Sequence, residues 1–159
     1  MLVRPAEPSE LDHLARVWHD AWHEAHGALA PAGLLAARTV DTFRARLAVM
    51  LDDTRVIGPP DAPLGLCVIK DDELHQLFVA RAARGTGVAV ALIDDGEARL
   101  AARGIATAWL SCAVGNNRAA RFYDKRGWTN ARTMMNRLET EQGVFEVPIW
   151  RYEKRVTAD

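Results

Sequence analysis

The chain lacks the long apolar runs of a membrane protein, because no run reaches the roughly 18 residues that a spanning helix needs. It also lacks an excess of one charge: 20 basic residues stand against 21 acidic ones, which leaves a formal net charge of −1. Proteins that hold nucleic acid or an anionic membrane through charge need a positive field. These absences predict a protein that binds neither nucleic acid nor membrane. The polar start, without an apolar signal core, predicts a cytoplasmic location.

Cysteine is scarce as well, which excludes a disulfide framework. Cys67 and Cys112 are the only two cysteines, and each lies in an apolar run. A catalytic cysteine needs a positive and partly exposed setting that neither run offers. We therefore predict two buried, reduced thiols. The 159 residues suit one domain spanning residues 1–159, long enough to bury a core.

Hydrophobic periodicity predicts a chain that alternates helices and strands. Apolar residues recur at helical spacing from Leu11 to Ala25 and again on the apolar side of 39–51. The runs "TRVIG", "LGLCVIK" and "LHQLFVA" predict a meander of three strands, followed by a helix that ends near Gly104. "TAWLSCAV", "NNRAARFYDKRG" and two final runs then predict a strand, a short helix and a hairpin. The expected order is β-α-α-β-β-β-α-β-α-β-β, a mixed α/β (α+β) sheet with helices packed on its faces.

The junction between the third strand of the meander and the next helix carries the strongest chemical signal. "ARGTGVA" follows a strand and opens a helix, and its two glycines let backbone N–H groups approach a ligand. The free N–H groups of a first helical turn favour an anion such as phosphate. Arg84 adds a positive charge. The spacing matches neither a P-loop nor the dinucleotide fingerprint. Taken alone, the two glycines could equally form an ordinary tight turn.

A second motif follows about 27 residues later, in "NNRAARFYDKRGW". The stretch Arg84–Ala89 resembles the Arg/Gln-x-x-Gly-x-Gly/Ala loop of the GNAT superfamily of N-acetyltransferases. The later stretch resembles that superfamily's Asn-x-x-Ala, aromatic, Tyr and Gly-aromatic motif. The positions that carry this second likeness are Asn116, Ala119, Phe122, Tyr123, Gly127 and Trp128. The order of elements is similar along nearly the whole chain, which implies a mostly antiparallel central sheet with helices on both faces.

The resemblance implies that the chain uses acetyl-coenzyme A as a co-substrate, without a metal. The pyrophosphate would lie on the N–H groups of the loop, and the pantetheine arm along the preceding strand in a V-shaped opening of the sheet. Asn116 would hold the pantetheine side, although a plain helix N-cap explains this residue too. The residues expected to bind the cofactor are Leu77, Phe78, Val79, Arg84, Gly85, Thr86, Gly87, Val88, Ala89, Asn116 and Phe122.

Two catalytic roles follow from the chemistry of acetyl transfer to an amine. A positioned hydroxyl can protonate the departing thiolate, and Tyr123 stands where the superfamily usually places this acid. The amine must also lose a proton. Glu73 resembles a carboxylate that several members place at the start of this strand, and it is the expected catalytic base, acting through a water. His75, which strand alternation puts on the same face as Glu73, Leu77 and Val79, has an intrinsic pKa closer to neutral. A solvated Glu73 and a packed His75 are the alternatives.

The stretch "HDAWHEAHG" brings His19, His23 and His26 to one side of the first helix. In the superfamily the first two helices usually wall the acceptor pocket. The substrate-binding candidates are Trp18, Trp22, His23, His26 and His75. Core packing of the tryptophans and a solvated helix flank for the histidines are the alternatives. The spacing is one residue short of the His-Glu-x-x-His zinc pattern, so we expect no metal site.

The resemblance implies an acyltransferase that moves an acetyl group from acetyl-coenzyme A to a primary amine, which we expect to belong to a small molecule. Transfer would be direct, within a ternary complex. The alternatives are a protein N-terminus, a lysine or an aminoacyl-tRNA as acceptor, a non-catalytic acetyl-coenzyme A sensor, or a metal enzyme that uses the histidines. The acceptor itself is not predicted. A homodimer through the last strands is a further expectation.

Overall fold

The computed structural model describes residues 1–157, which form one sheet flanked by helices. The strands are β1 (Arg4–Pro5), β2 (Thr54–Ile57), β3 (Gly65–Lys70), β4 (Glu73–Val79), β5 (Thr107–Ala113), β6 (Thr129–Thr140) and β7 (Gly143–Arg155). The α-helices are α1 (Leu11–His26), α2 (Ala32–Ala37), α3 (Val40–Val49), α4 (Val88–Ala102) and α5 (Asn117–Lys125). The predicted order is confirmed, with one addition: the short helix α2, which the sequence analysis left out.

Local signals explain where the early helices begin. Thr39 caps α3: its hydroxyl accepts a hydrogen bond from the backbone N–H of Thr42 at 3.2 Å, and Thr42 accepts one from the N–H of Thr39 at 3.0 Å. This reciprocal arrangement is a capping box. Helix α2 follows Pro31 and has only six residues, fewer than two helical turns. A helix this short cannot display the periodicity by which longer helices are found.

The sheet has the strand order β1-β2-β3-β4-β5-β7-β6, and every neighbouring pair is antiparallel except β4 and β5. Alternation along β3 separates two buried clusters. Leu66 and Val68 pack with α1 and α3 on one face. Cys67 and Ile69 pack with α4 on the other. The predicted mixed, mostly antiparallel sheet with helices on both faces is confirmed.

The two parallel strands stay together only at one end. Glu73 and Trp109 form the single ladder pair between β4 and β5 within residues 1–157. The neighbouring backbone bond, from the N–H of Trp109 to the carbonyl of Asp72, measures 3.2 Å. Beyond this point β4 remains paired with β3 and β5 with β7. The sheet therefore opens between β4 and β5 toward the carboxyl ends of both strands.

A bulge in β4 changes which side chains share a face. The register against β3 shifts between Val68 and Ile69, so Leu74 pairs with Ile69 and Gln76 with Val68, which leaves His75 as the extra residue. Leu74 and Leu77 consequently belong to the same buried cluster on the α4 side, although they are three residues apart. The expectation that Glu73, His75, Leu77 and Val79 alternate onto one face is therefore wrong.

Two further sequence predictions concern the interior and the membrane. Cys67 and Cys112 are free and buried, as expected, and burial raises the pKa of each thiol to about 12. Across residues 1–157, no helix combines the length and the apolar character needed to span a bilayer.

Candidate active site

Two cavities meet where the sheet opens. The loop cleft, about 460 Å³, lies between α1, the end of β4, the glycine-rich loop and α5. The inner cavity, about 190 Å³, lies between the early helices, β4, β5 and the final hairpin. Five residues line both: Leu77, Phe78, Asn116, Ala119 and Tyr123. The two cavities thus share a boundary formed by β4 and α5.

The glycine-rich loop gives the loop cleft an exposed set of N–H groups. Gly85 has φ +74° and Gly87, which immediately precedes α4, has φ +88°. Side chains other than glycine rarely adopt this conformation. A Cβ atom at Gly85 would meet nothing within 4 Å, and one at Gly87 would meet only Met1 Cε at 3.9 Å. The loop therefore leaves open space in front of the free N–H groups of the first turn of α4, which suits an anion.

The other loop residues lie as a backbone cradle requires. The Thr86 hydroxyl donates a hydrogen bond to the carbonyl of Ala83, which closes the turn on itself. The Val88 side chain is buried in the core, so only its backbone faces the turn. Ala89 lines the loop cleft with Gly85 and Gly87. The contacts of Thr86 and Val88 therefore lie on the protein side of the loop, and Gly85, Gly87 and Ala89 face the loop cleft.

The charge of Arg84 is already compensated within the protein. Its guanidinium donates two hydrogen bonds to the Glu24 carboxylate on α1, at 2.6 and 2.8 Å. This pairing lowers the pKa of Glu24 and raises that of Arg84. The sequence analysis placed a positive charge at the loop but did not foresee this partner, which is 60 residues away along the chain.

Both ends of α5 are defined by residues of the second motif. The Asn116 side chain accepts a hydrogen bond from the N–H of Ala119 at 3.4 Å and caps the helix. Gly127, with φ +85°, ends it. The N–H of Trp128 then donates to the carbonyl of Tyr123 at 3.0 Å, and the indole is buried. These constraints fix the position of Tyr123 on α5.

Tyr123 lies at the shared boundary with its ring packed and its hydroxyl free. Its ring contacts those of Phe122, Trp128 and Tyr152 at centroid distances of 5.6, 6.5 and 5.8 Å. Within residues 1–157, no group forms a hydrogen bond with its hydroxyl. Burial raises the pKa of this hydroxyl well above its usual value. Tyr123 therefore carries its proton at neutral pH and can donate it.

The candidate bases form a pair. The Nδ1 atom of His75 lies 2.6 Å from Oε1 of Glu73. Both side chains are largely buried, with 21% and 13% of their surfaces exposed. His75 lines the inner cavity, whereas Glu73 does not. In this arrangement the carboxylate orients the imidazole, and the imidazole is the group that reaches the cavity.

The predicted acceptor-pocket residues divide into two sets. Trp22 and His26 line the inner cavity, together with His75. Trp18 does not: it is 0% exposed and its ring packs 4.6 Å from that of Phe43. The prediction for Trp18 is wrong, because Trp18 lies on the part of the apolar face of α1 that packs into the core. The alternative of core packing holds for this residue.

His23 also lies outside the inner cavity, contrary to the prediction. Its Nε2 atom is 2.6 Å from the carbonyl oxygen of Arg38. It therefore ties α1 to the segment between α2 and α3. Nδ1 of His26 is 2.9 Å from the carbonyl of Trp22, and Nδ1 of His19 is 2.9 Å from Asp20. In the part of the chain that the structure describes, no three His, Cys, Asp or Glu residues are grouped as metal ligands.

Sequence reasoning missed part of the inner cavity. Three lining residues come from the early helices: Leu34 from α2, Arg38 from the position directly after α2, and Arg46 from α3. Leu138 and Ile149, on the final hairpin, close another side. The only signal was weak: Arg46 interrupts the apolar side of α3 next to Phe43 and Leu47.

The opened sheet, the exposed N–H groups at the start of α4 and the tyrosine between the two cavities suit one class of protein, the acetyltransferases that use acetyl-coenzyme A. The chain belongs to the acetyltransferase (GNAT) family, because the model of that family matches residues 12–128. The resemblance inferred from the two motifs is thereby confirmed, and the protein is an acetyl-coenzyme A-dependent acyltransferase. A comparison with curated protein sequences finds no match.

Solved structures share the whole fold. A GCN5-related N-acetyltransferase from Rhodopseudomonas palustris is similar at 22% identity and a TM-score of 0.76, over 97% of this chain and 94% of that one. PaiA N-acetyltransferase from Thermoplasma acidophilum, in complex with coenzyme A, has 15% identity and a TM-score of 0.67, over 97% and 98%. Ribosomal-protein-alanine N-acetyltransferase from Brucella melitensis has 15% identity and a TM-score of 0.73, over 98% and 99%. At these identities the likeness shows the fold alone.

Proposed function

We propose that the protein acetylates a primary amine of a small molecule by direct transfer within a ternary complex. The observation that carries the proposal is the position of Tyr123, whose unbonded, protonated hydroxyl lies where the loop cleft meets the inner cavity. A group at this boundary can touch a coenzyme in one cavity and an acceptor in the other. The small volume of the inner cavity favours a small acceptor over a protein chain.

The loop cleft suits the co-substrate. The first-turn N–H groups of α4 would hold its pyrophosphate, and the open edge of β4, from Leu77 to Val79, would align its extended arm. Asn116 and Phe122 line the opposite wall. Acetyl-coenzyme A brings an activated acetyl thioester to this boundary. The backbone N–H groups of β4 that β5 leaves unpaired would polarise the thioester carbonyl.

Tyr123 is the proposed general acid. A tyrosine hydroxyl carries its proton at neutral pH, and Oη of Tyr123 would give this proton to the departing thiolate sulfur. His75 is the proposed base. It would take a proton from the acceptor nitrogen, directly or through a water, while Glu73 fixes the orientation of its ring.

The experiment measures release of coenzyme A from acetyl-coenzyme A with a panel of small amines. Tyr123→Phe should lower kcat by about 10²- to 10⁴-fold, the usual contribution of a general acid, while acetyl-coenzyme A still binds. Tyr152→Phe is the matched control, because Tyr152 is the only other tyrosine and lines neither cavity. An unchanged kcat in Tyr123→Phe would contradict the role of Tyr123. Failure to bind acetyl-coenzyme A would contradict the proposed function.

A further inference from the structure

The inner cavity is positively charged on one side and has no negative charge in its wall. Its positive charges are the guanidinium groups of Arg38 and Arg46, and no Asp or Glu is among its lining residues. An amine acceptor that carries several positive charges would meet repulsion there. The charge of this wall therefore constrains the acceptor.

Arg38 is a buried cation that has no partner among residues 1–157. The residue is 8% exposed, and its Nε atom is buried without a hydrogen-bond partner. Within residues 1–157, no carboxylate lies within 4.0 Å of its guanidinium. Burial alone lowers its pKa. Removing a guanidinium from water without a counter-ion is costly, and proteins rarely keep such a group without a use for it.

Arg46 lies near Arg38 and also lacks a carboxylate. Its guanidinium carbon is 4.4 Å from the centroid of the Trp18 ring and 5.7 Å from that of Phe43. Burial, together with repulsion from Arg38, lowers its pKa to about 10, so it remains charged at neutral pH. Within residues 1–157, the other arginines that are not fully exposed pair with carboxylates, as Arg4 does with Glu10. The two guanidinium groups of the inner cavity are a local exception.

We infer that Arg38 and Arg46 bind a carboxylate of the acceptor, which makes the acceptor a small amine that also carries a carboxylate, such as an amino acid. The inference rests on the proposed function and names its substrate class. Two unpaired guanidinium groups match a carboxylate in both charge and geometry. The cavity of about 190 Å³ is smaller than the roughly 300–1,000 Å³ of pockets for drug-sized ligands. Polyamines and aminoglycosides carry several positive charges, which the two guanidinium groups would repel, and aminoglycosides are also too large for the cavity.

The test compares acceptors that differ only in the carboxylate. Leucine, methionine and phenylalanine are each assayed beside their carboxamides and their decarboxylated amines, with coenzyme A release as the readout. We expect kcat/KM for the amino acids to exceed that for the amides and the plain amines at least tenfold. Equal turnover of the amides or plain amines would overturn the inference and leave the proposed function intact.

Arg38→Met tests the site directly. It removes an unpaired buried charge, so thermal stability should not fall, but KM for the carboxylated acceptor should rise at least tenfold. Arg44→Met is the matched control, because Arg44 lies exposed on α3, pairs with Asp12 and does not line the inner cavity. A KM that changes equally in both variants would overturn the inference.

A binding measurement separates this inference from the proposed function. The N-acetylated amino acids are titrated into the complex of the protein with coenzyme A by calorimetry, with N-acetylated amides as the comparison. Binding that needs the carboxylate and is lost in Arg38→Met supports the carboxylate site, even if no small amine is turned over. Binding that does not depend on the carboxylate overturns it.

Discussion

Replacing Gly85 by alanine tests whether the glycine-rich loop serves a ligand or only a turn. Gly104 is a matched control at the opposite end of α4. The two residues have similar backbone conformations, with φ +74° and +83°, and a Cβ atom at either would meet nothing within 4 Å. Only Gly85 lines the loop cleft. Any difference between the two variants therefore reports on what the cleft holds.

The expected loss of stability is the same for both variants. An alanine in the left-handed region costs about 1–2 kcal/mol, and neither site adds a clash. For a chain of this size that corresponds to a fall of roughly 2–8 °C in Tm. The two variants should differ in their affinity for coenzyme A. A methyl group in front of the first-turn N–H groups should displace at least one hydrogen bond to a charged phosphate, which weakens binding about tenfold or more.

Denaturation with guanidinium chloride gives the free energy of unfolding, and titration calorimetry with coenzyme A gives Kd. We expect both variants to unfold with equal losses and only Gly85→Ala to bind the coenzyme more weakly. If Gly85→Ala and Gly104→Ala bind coenzyme A equally well, the loop is an ordinary turn and the assignment of the pyrophosphate to it is wrong.

Two further outcomes follow from ion pairs. Glu24→Gln should free Arg84 to bind the coenzyme. Because an exposed ion pair contributes little, we expect the Kd for coenzyme A to fall by only about two- to fivefold at low salt. Calorimetry measures this Kd, and a weaker affinity would refute the idea that Arg84 exchanges Glu24 for the coenzyme. For the buried Glu10, burial by itself would raise the pKa, but hydrogen bonds from Arg4 and a backbone N–H outweigh it and hold the pKa below its usual value. This contribution to stability is therefore complete above roughly pH 4–5 and is lost as pH falls through the lowered pKa. Free energies of unfolding measured against pH should decline less steeply for Glu10→Gln, and an unchanged slope would contradict the assignment.

The conformations of the glycine-rich loop and of α5 could be predicted from the sequence because they are set locally. A glycine pair between a strand and a helix, and an Asn-capped helix that ends at Gly127, are short segments whose conformations follow from the residues themselves. Tyr123 lies on that helix, and its ring also packs against Tyr152 of β7. The pairing of Arg84 with Glu24 was not predictable, because it depends on how α1 packs against the loop and not on the residues next to either partner.

The acceptor side could be predicted only in outline. Trp18 and Trp22 belong to the same apolar stripe, and both rings lie close to Phe43, at 4.6 and 6.0 Å. Only the packing of elements distant in sequence decides that the first is core and the second lines the cavity. The bulge at His75 depends on the register with β3, which no pattern within β4 encodes. Helix α2 is too short for its hydrophobic periodicity to be detected in the sequence.

The same contrast explains why the acceptor has to be inferred from charge. The two family motifs lie in short segments beside the loop cleft, where we propose that the coenzyme binds, whereas the inner cavity is assembled from helices, strands and a hairpin that are distant in sequence. Such a cavity has no motif, but it must still satisfy the rule that buried charges have partners. Arg38 breaks that rule within the protein's own residues, so the missing partner is the most specific information the structure holds about the acceptor. A carboxylate bound there would restore the balance that the chain leaves open.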